Sequence, residues 1–358
     1  MNTSKKQLPR GIFDEQEALE KLSKLQDPLE KLKKFIDFEI FRDTLNSIYN
    51  KPDRKSNAGA KPFDYVLMFK ILILQRLYNL SDEQMEFQLN DRLSFKRFVG
   101  LEFNHRVPDC NTIWNFKQAL AVNDNEKKLF HRFYEILETN KLIVSEGKMV
   151  DASFHEVPRQ RNSREENKEL KEGKVPSTWE RKKLSHKDVD ARWTNKNNET
   201  YYGYKNHIKA DTGSKFIDNY EVTSANVHDS NVLEKLVDEK DKGQELHGDS
   251  AYSGQDQEAT VCKVKMINKI HEKGYKNRAL TEEQKANNRI KSSKRARVEH
   301  IFGFIENSMK GKYIRTIGIA RAKVNIGITN LVYNICRAVQ LKIDMFPRDK
   351  CASSLKMP

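Results

Sequence analysis

The hydrophobic period changes once along this chain, near Gly147. Before it, apolar residues recur three or four positions apart: Leu19, Leu22 and Leu25, then Leu29, Leu32, Ile36 and Ile40. That spacing keeps side chains on one face of a 3.6-residue helix. After it, short apolar runs and strict alternation dominate, as in Tyr202, Tyr204 and Ile208, the pattern of strands. The chain is therefore expected to be α+β, with a helical first part and a sheet-containing second part. Its 358 residues suit two domains. We place them at 1–140 and 141–345, with a charged insertion at about 158–190 and a tail at 346–358.

Within the helical part, Asp27 precedes Pro28 and Glu30, which reads as an N-cap, a proline at the first helical position and an acid reaching back. Pro28 interrupts the Leu22–Ile36 heptad, which favours ordinary helix packing over a coiled coil. A polar loop at 51–62 leads to an apolar helix at 63–78. Ser81-Asp82-Glu83-Gln84 is a capping box, followed by helices at 91–99 and 112–120. Helices at this spacing fit a helix-turn-helix and a plain bundle equally well. Trp114 and Phe116 are read as core.

In the second part, residues 148–154 form a short strand with Asp151 at its end, and 158–187 is highly charged without a sustained period, with Trp179 as its one anchor. Residues 199–211 and 215–223 flank Thr212-Gly213-Ser214 as a β-hairpin. A helix at 229–239, a strand at 244–248, a helix at 253–260 and a strand at 261–268 come next. Helices open near Thr281 and at Arg295, the latter burying Val298, Ile301, Phe302 and Ile305.

Composition narrows the function classes. The longest apolar run, 66–74, is interrupted by Lys70 and falls short of the ~20 residues of a spanning helix. Residues 1–9 have no apolar core of the export-signal kind, and the 4 cysteines are scattered without a Cys-x-x-Cys pair. A cytoplasmic, nucleoid-associated protein is expected. Lys and Arg number 65 against 51 Asp and Glu, a net +14. Residues 263–323 hold 17 Lys/Arg and 5 Asp/Glu, so one segment contains most of the excess and points to a polyanionic partner.

Three acids stand at informative places. Asp151 ends the first strand, Asp249 follows a later strand in His247-Gly248-Asp249-Ser250-Ala251-Tyr252, and Glu299 lies on the helix in Arg295-Ala296-Arg297-Val298-Glu299-His300. A carboxylate at a buried strand end costs desolvation unless a cation offsets it. Hard oxygen donors without a His/Cys cluster suit Mg²⁺ or Mn²⁺ rather than zinc.

With these blocks in hand, the chain resembles a DDE transposase of the insertion-sequence-five family. The resemblance covers nearly the whole chain. It rests on residues 63–120 and, in order, on Val150-Asp151-Ala152, Ala191-Arg192-Trp193-Thr194, Tyr202-Gly203-Tyr204-Lys205, Ala225-Asn226-Val227-His228-Asp229, Gly248-Asp249-Ser250-Ala251-Tyr252 and the Glu299 block. It implies a ribonuclease H-like catalytic core with a mixed sheet, and Asp151, Asp249 and Glu299 as both the catalytic and the metal-binding triad. Two Mg²⁺ ions per site are implied, with Mn²⁺ able to substitute. Double-stranded DNA, at element ends and target, is the implied partner, bound by a homodimer or larger assembly. The family's lysine seven residues after the glutamate is Glu306 here, which makes Glu306 a rival third acid and Lys310 a replacement cation. The tyrosine expected three positions before Arg295 is Ser292.

Lys291, Lys294, Arg295, Arg297 and Lys310 are the candidate phosphate contacts. His228 is read as structural, with Asp229 capping the helix after it, and Tyr252 as packing beneath the site. The same features fit two other readings: a metal-dependent nuclease that cuts without joining, and a DNA-binding regulator without catalysis.

Overall fold

The computed structural model describes residues 14–49, 61–196, 198–274 and 279–341. The first part is helical throughout: α1 (Asp14–Lys24), α2 (Pro28–Phe35), α3 (Arg42–Tyr49), α4 (Tyr65–Leu77), α5 (Asp82–Asp91), α6 (Leu93–Val99), α7 (Cys110–Leu120) and α8 (Asn125–Thr139). Most of the loop expected at 51–62 lies outside the described residues, as does the tail at 346–358. Asp27 caps α2 through Leu29 N at 3.0 Å with Pro28 next to it. Glu30 does not reach back; its carboxylate accepts from the Ser23 hydroxyl at 3.2 Å, because Arg97 draws Asp27 and Glu30 toward α6. The Ser81–Gln84 capping box forms in both directions. α4 is buried on nearly every side, as its continuous apolar sequence requires.

The second part begins with β1 (Gly147–Glu156), followed by α9 (Arg164–Lys171), α10 (Arg181–Leu184), β2 (Arg192–Lys196), β3 (Glu199–Asp211), β4 (Ile217–Ser224), α11 (Leu233–Leu236), β5 (Glu245–His247), α12 (Gln255–Val264), β6 (Ile267–Asn268), α13 (Glu282–Arg295), α14 (Arg297–Gly303) and α15 (Ile319–Gln340). β1 runs antiparallel to β3 and parallel to β5, β5 runs parallel to β6, and β2 and β4 pair with opposite halves of β3. Antiparallel strands on one side and parallel ones on the other make the mixed sheet of a ribonuclease H-like domain, as the resemblance implied.

Several boundaries differ from the sequence reading. Asp151 lies in the middle of β1, which continues to Glu156 because the long β3 pairs with it from Lys148 to Glu156. The strand expected at 261–268 is mostly helix: α12 holds Val261 to Val264, leaving a two-residue strand. The 158–187 segment contains α9 and α10, and Trp179 is buried with its indole N–H on Glu166 at 2.6 Å. Residues 229–241 form a broken series of short turns around α11 instead of one helix. Trp114 is 44% exposed, whereas Phe116 is buried as expected.

Two cores lie on opposite faces of the sheet. On one face Met149, Tyr204, Ile208 and Ala210 join α14, α15 and the N-terminal helices in a continuous apolar cluster. α15 packs on α4, α8 and β4 together, and it also closes polar pairs: Asn330 with Asn206, and Asn334 with both the N–H and the carbonyl of Ile217. On the other face Val150, Leu236, Leu246, Tyr252 and Val261 form a smaller cluster beneath α11 and α12. Beside it runs a buried charged layer. Lys209 pairs with Asp241 at 2.6 Å and Asp218 at 3.2 Å, and Lys148 with Asp218 at 3.0 Å. Alternation along β3 explains both faces, since successive side chains point to opposite sides.

Candidate active site

β1 and β5 are in parallel register with Met149 opposite His247. Asp151 and Asp249 each stand two residues beyond that pair, at equivalent positions on neighbouring chains. Asp249 leaves the strand and caps the turn Ser250–Tyr252, its Oδ1 accepting from Ala251 N at 2.9 Å. Asp151 is 4% exposed. Burial pushes its carboxyl above the ordinary range; the Arg295 guanidinium opposes that rise and the neighbouring Asp249 charge adds to it. The Arg295 Nη2 donates to Asp151 Oδ2 at 2.9 Å and lies 4.0 Å from Glu299 Oε1, one helical turn on. Glu299 itself faces solvent, with 64% of its side chain exposed.

A groove of about 440 Å³ runs over this face. Asp151, Arg295, Glu299 and Glu306 line it together with Lys196 and Lys312; Asp249 is not in that lining. Among the described residues no three His, Cys, Asp or Glu side chains converge at metal-binding geometry. The donor chemistry nonetheless suits a hard divalent cation. Asp151 is a buried carboxylate with a second one just past the neighbouring strand, its one ion pair is with an arginine, and Glu299 lies 4.0 Å from the same arginine.

The other expected contacts separate into three groups. Arg295 is at the carboxylates. Lys291 and Arg297 bond within the fold: Lys291 Nζ to Ile270 O at 3.0 Å, and Arg297 Nη1 to Thr212 O at 2.7 Å. Lys294 pairs with Glu245 at 2.7 Å while remaining half exposed, and Lys310 is exposed at the turn after Ser308. Glu306, the rival acid, sits where α14 widens into a π-turn, Phe304–Ser308.

His228, not Asp229, caps the turn that follows it, its Nδ1 accepting from Ser230 N at 3.3 Å. Asp229 is instead buried and ion-paired with Lys205 at 2.8 Å. The cap moved because Lys205, on the inner face of β3, needs a carboxylate partner in a buried setting. Tyr252 is fully buried, with Asp229, Asp151 and Asp249 near enough to add to the burial that raises its phenol.

Sequence reasoning missed Lys196, Lys312 and the stacked pair Phe154 and Tyr201, whose ring centroids lie 4.3 Å apart beside the groove. Alternation along β1 gave no signal, since Phe154 is three residues beyond Asp151 and a period of two puts it on the other face. Lys312 gave none: it reaches the groove because Glu156 N donates to its carbonyl at 2.8 Å.

Two domain models match this chain. Residues 17–119 match a Transposase domain (DUF772), and residues 145–335, just over half the chain, match a Transposase DDE domain. The chain belongs to the DDE-domain transposases. A cryo-EM structure of a piggyBac transposase synaptic complex with hairpin DNA is similar at 12% identity and a TM-score of 0.38, over 89% of this chain and 77% of that one. The transposase's DDE match spans all three acids and Arg295, and its N-terminal match covers α1 to most of α7. None of its described helices is long and apolar enough to cross a membrane.

Proposed function

We propose that this transposase belongs to the insertion-sequence-five group, binds the terminal inverted repeats of its element, cleaves the ends and joins their 3′-hydroxyls to target DNA. The observation that supports this most is that Asp151 and Asp249 each stand two residues past the last paired residues of β1 and β5, with Arg295, at the end of the helix before that of Glu299, on Asp151. Residues 1–140 act as the DNA-binding and dimerisation domain, and 141–345 as the catalytic domain. The assembly on DNA is a homodimer or larger, working at the nucleoid in the cytoplasm.

Asp151, Asp249 and Glu299 hold divalent metal, Mg²⁺ by preference and two ions per site, with Mn²⁺ as substitute. Bound there, the ions lower the barrier to in-line displacement at phosphorus by stabilising the attacking and leaving oxygens. The residues themselves do the positioning. Asp151 is held by its pairing with β3, Asp249 by its own turn, and Glu299 would reach the site from α14. Arg295 balances the Asp151 charge and would face the scissile phosphate. Lys294, Arg297, Lys310 and Lys291 supply further phosphate contacts around it. No covalent enzyme intermediate is needed, so the chemistry requires no nucleophilic side chain.

The test uses a supercoiled plasmid bearing the gene with its flanking DNA, incubated with protein in Mg²⁺ or in EDTA, with breaks and joints mapped to the nucleotide. Breaks at the flanking repeats that need Mg²⁺, with joined products, and that vanish in Asp249→Asn support the reading. Breaks without joining would make the protein a nuclease, and binding without breaks a regulator.

A further inference from the structure

A second cleft, of about 200 Å³, opens where α5 and α7 meet the 313–318 segment and the start of α15. Trp114, Lys117, Arg315 and Arg321 line it, with Asp82 as its one acid. Asp82 is already engaged, by Lys117 and by Gln75 Nε2 at 2.6 Å. Arg76 reaches the same place from α4, bonded to Asn325 and to Leu80 O, both neutral groups. Among the described residues, no carboxylate lies within 4.0 Å of Arg76, Arg315 or Arg321. Arg321 Nε uses only Gln118 Oε1, at 3.0 Å, and its guanidinium stands 5.7 Å from the Trp114 ring centre. Arg315 stands 5.6 Å from the ring of Tyr313, which is 39% exposed. Four cations thus surround one carboxylate that is already paired, and the Thr316 hydroxyl there is buried without a partner.

Arg321 is half-buried without a counterion, and that carries a desolvation cost that an anion offsets, while Arg315 is exposed beside it. Exposed aromatic rings with cations over them give the mixed apolar and charged surface that a nucleic acid backbone and its sugars fit. Chain connectivity fixes the direction. Lys312 lines the catalytic groove and Arg315 lines this cleft, so three residues, at most ~11 Å of extended chain, separate them. That is about three base pairs of duplex rise.

We infer that this cleft is a phosphate-backbone clamp for the same duplex DNA that enters the catalytic groove, with Arg315 and Arg321 on the phosphates and Trp114 against the sugar. The clamp rests on the DNA-processing reading above and adds to it the path of the duplex from Lys312 across the 313–318 segment to α7. It places the N-terminal helices in direct contact with the cleaved DNA within a few base pairs of the break.

The test measures binding of a fluorescein-labelled mixed-sequence duplex by anisotropy across a salt series in EDTA. The proteins are the full-length wild type, Arg315→Gln/Arg321→Gln, and Arg315→Lys/Arg321→Lys. The glutamine pair is expected to bind at least about tenfold more weakly. Its log–log salt slope should be shallower by about two, and the lysine pair should keep most of the slope. Duplex-induced quenching of tryptophan emission should shrink in Trp114→Phe, a check that does not depend on the arginine variants folding. If wild type binds and nicks in Mg²⁺ while the glutamine pair keeps its affinity and slope, the clamp is wrong and the cleavage reading stands. If the wild type does not bind duplex at all, both are wrong.

Discussion

Arg295 and Asp151 form an ion pair at 2.9 Å between α13 and the middle of β1, and Glu299 follows one helical turn behind the arginine. This places Glu299, not Glu306, at the end of the Asp151–Arg295 contact, although both line the groove. Glu299→Gln is therefore expected to cut metal-dependent plasmid nicking by at least about a hundredfold, with Glu306→Gln within a few fold of wild type. Side-by-side nicking rates in Mg²⁺ check this; equal losses would assign the third acid to the π-turn.

Glu126, in the first turn of α8, is 1% exposed, and its Oε1 has no hydrogen-bond partner. Burial pushes its carboxyl up to about 7. A carboxyl with a raised folded pKa holds a proton that the unfolded chain has already released. Its contribution is thus favourable at low pH and is lost as pH rises from the unfolded value to the folded one. Between about pH 4.5 and 7 this one group is expected to lower unfolding free energy by roughly 3 kcal/mol, on the usual 1.4 kcal/mol per unit. Denaturant titrations of wild type and Glu126→Gln across that range should converge at low pH and diverge toward neutrality, with the variant the more stable.

Lys209 is fully buried and lies within 3.2 Å of both Asp218 and Asp241. Burial alone would push its ammonium down, but Asp218 and Asp241 outweigh burial and hold it up. Lys209→Met leaves the buried Asp241 without its cation and Asp218 with Lys148 alone. A loss of about 3–5 kcal/mol in urea unfolding is expected, the usual cost of breaking a buried pair from one side. Adding Asp241→Leu to Lys209→Met should recover part of it.

Much of the fold was legible because its signals were local. The capping box at Ser81, the helix start near Thr281 and the hairpin around Gly213 each need only neighbours in the chain, and all three formed. The misses share a different cause. Trp114 sits on an amphipathic helix and was read inward, but the face it occupies is paired with Arg321, 207 residues away in sequence. Val261 to Val264 carry strand-forming side chains, yet they complete α12 because the core beneath Leu236 takes Val261 from a helix. α15 escaped notice because Asn325, Asn330 and Asn334 interrupt its apolar pattern. Each of those asparagines is buried and matched to a specific partner, which no period reveals. The three acids were singled out through neighbouring residues in sequence. The Arg295 bridge between Asp151 and Glu299 was not, since it joins strands and helices only after the sheet closes.

The position of α15 sets a timetable for synthesis. It follows Asp151, Asp249 and Glu299, yet it fills the space between the sheet and helices α4 and α8, which are complete about 200 residues earlier. At translation speeds of ~5–20 residues per second, the apolar faces of α4 and α8 wait roughly 10–40 s for their partner. During that interval the nascent chain exposes the faces of α4 and α8 that α15 later covers. Any premature stop before residue 319 leaves the larger core, shared by the N-terminal helices and one face of the sheet, open along the whole length of α15, while the smaller core on the other face keeps all its residues.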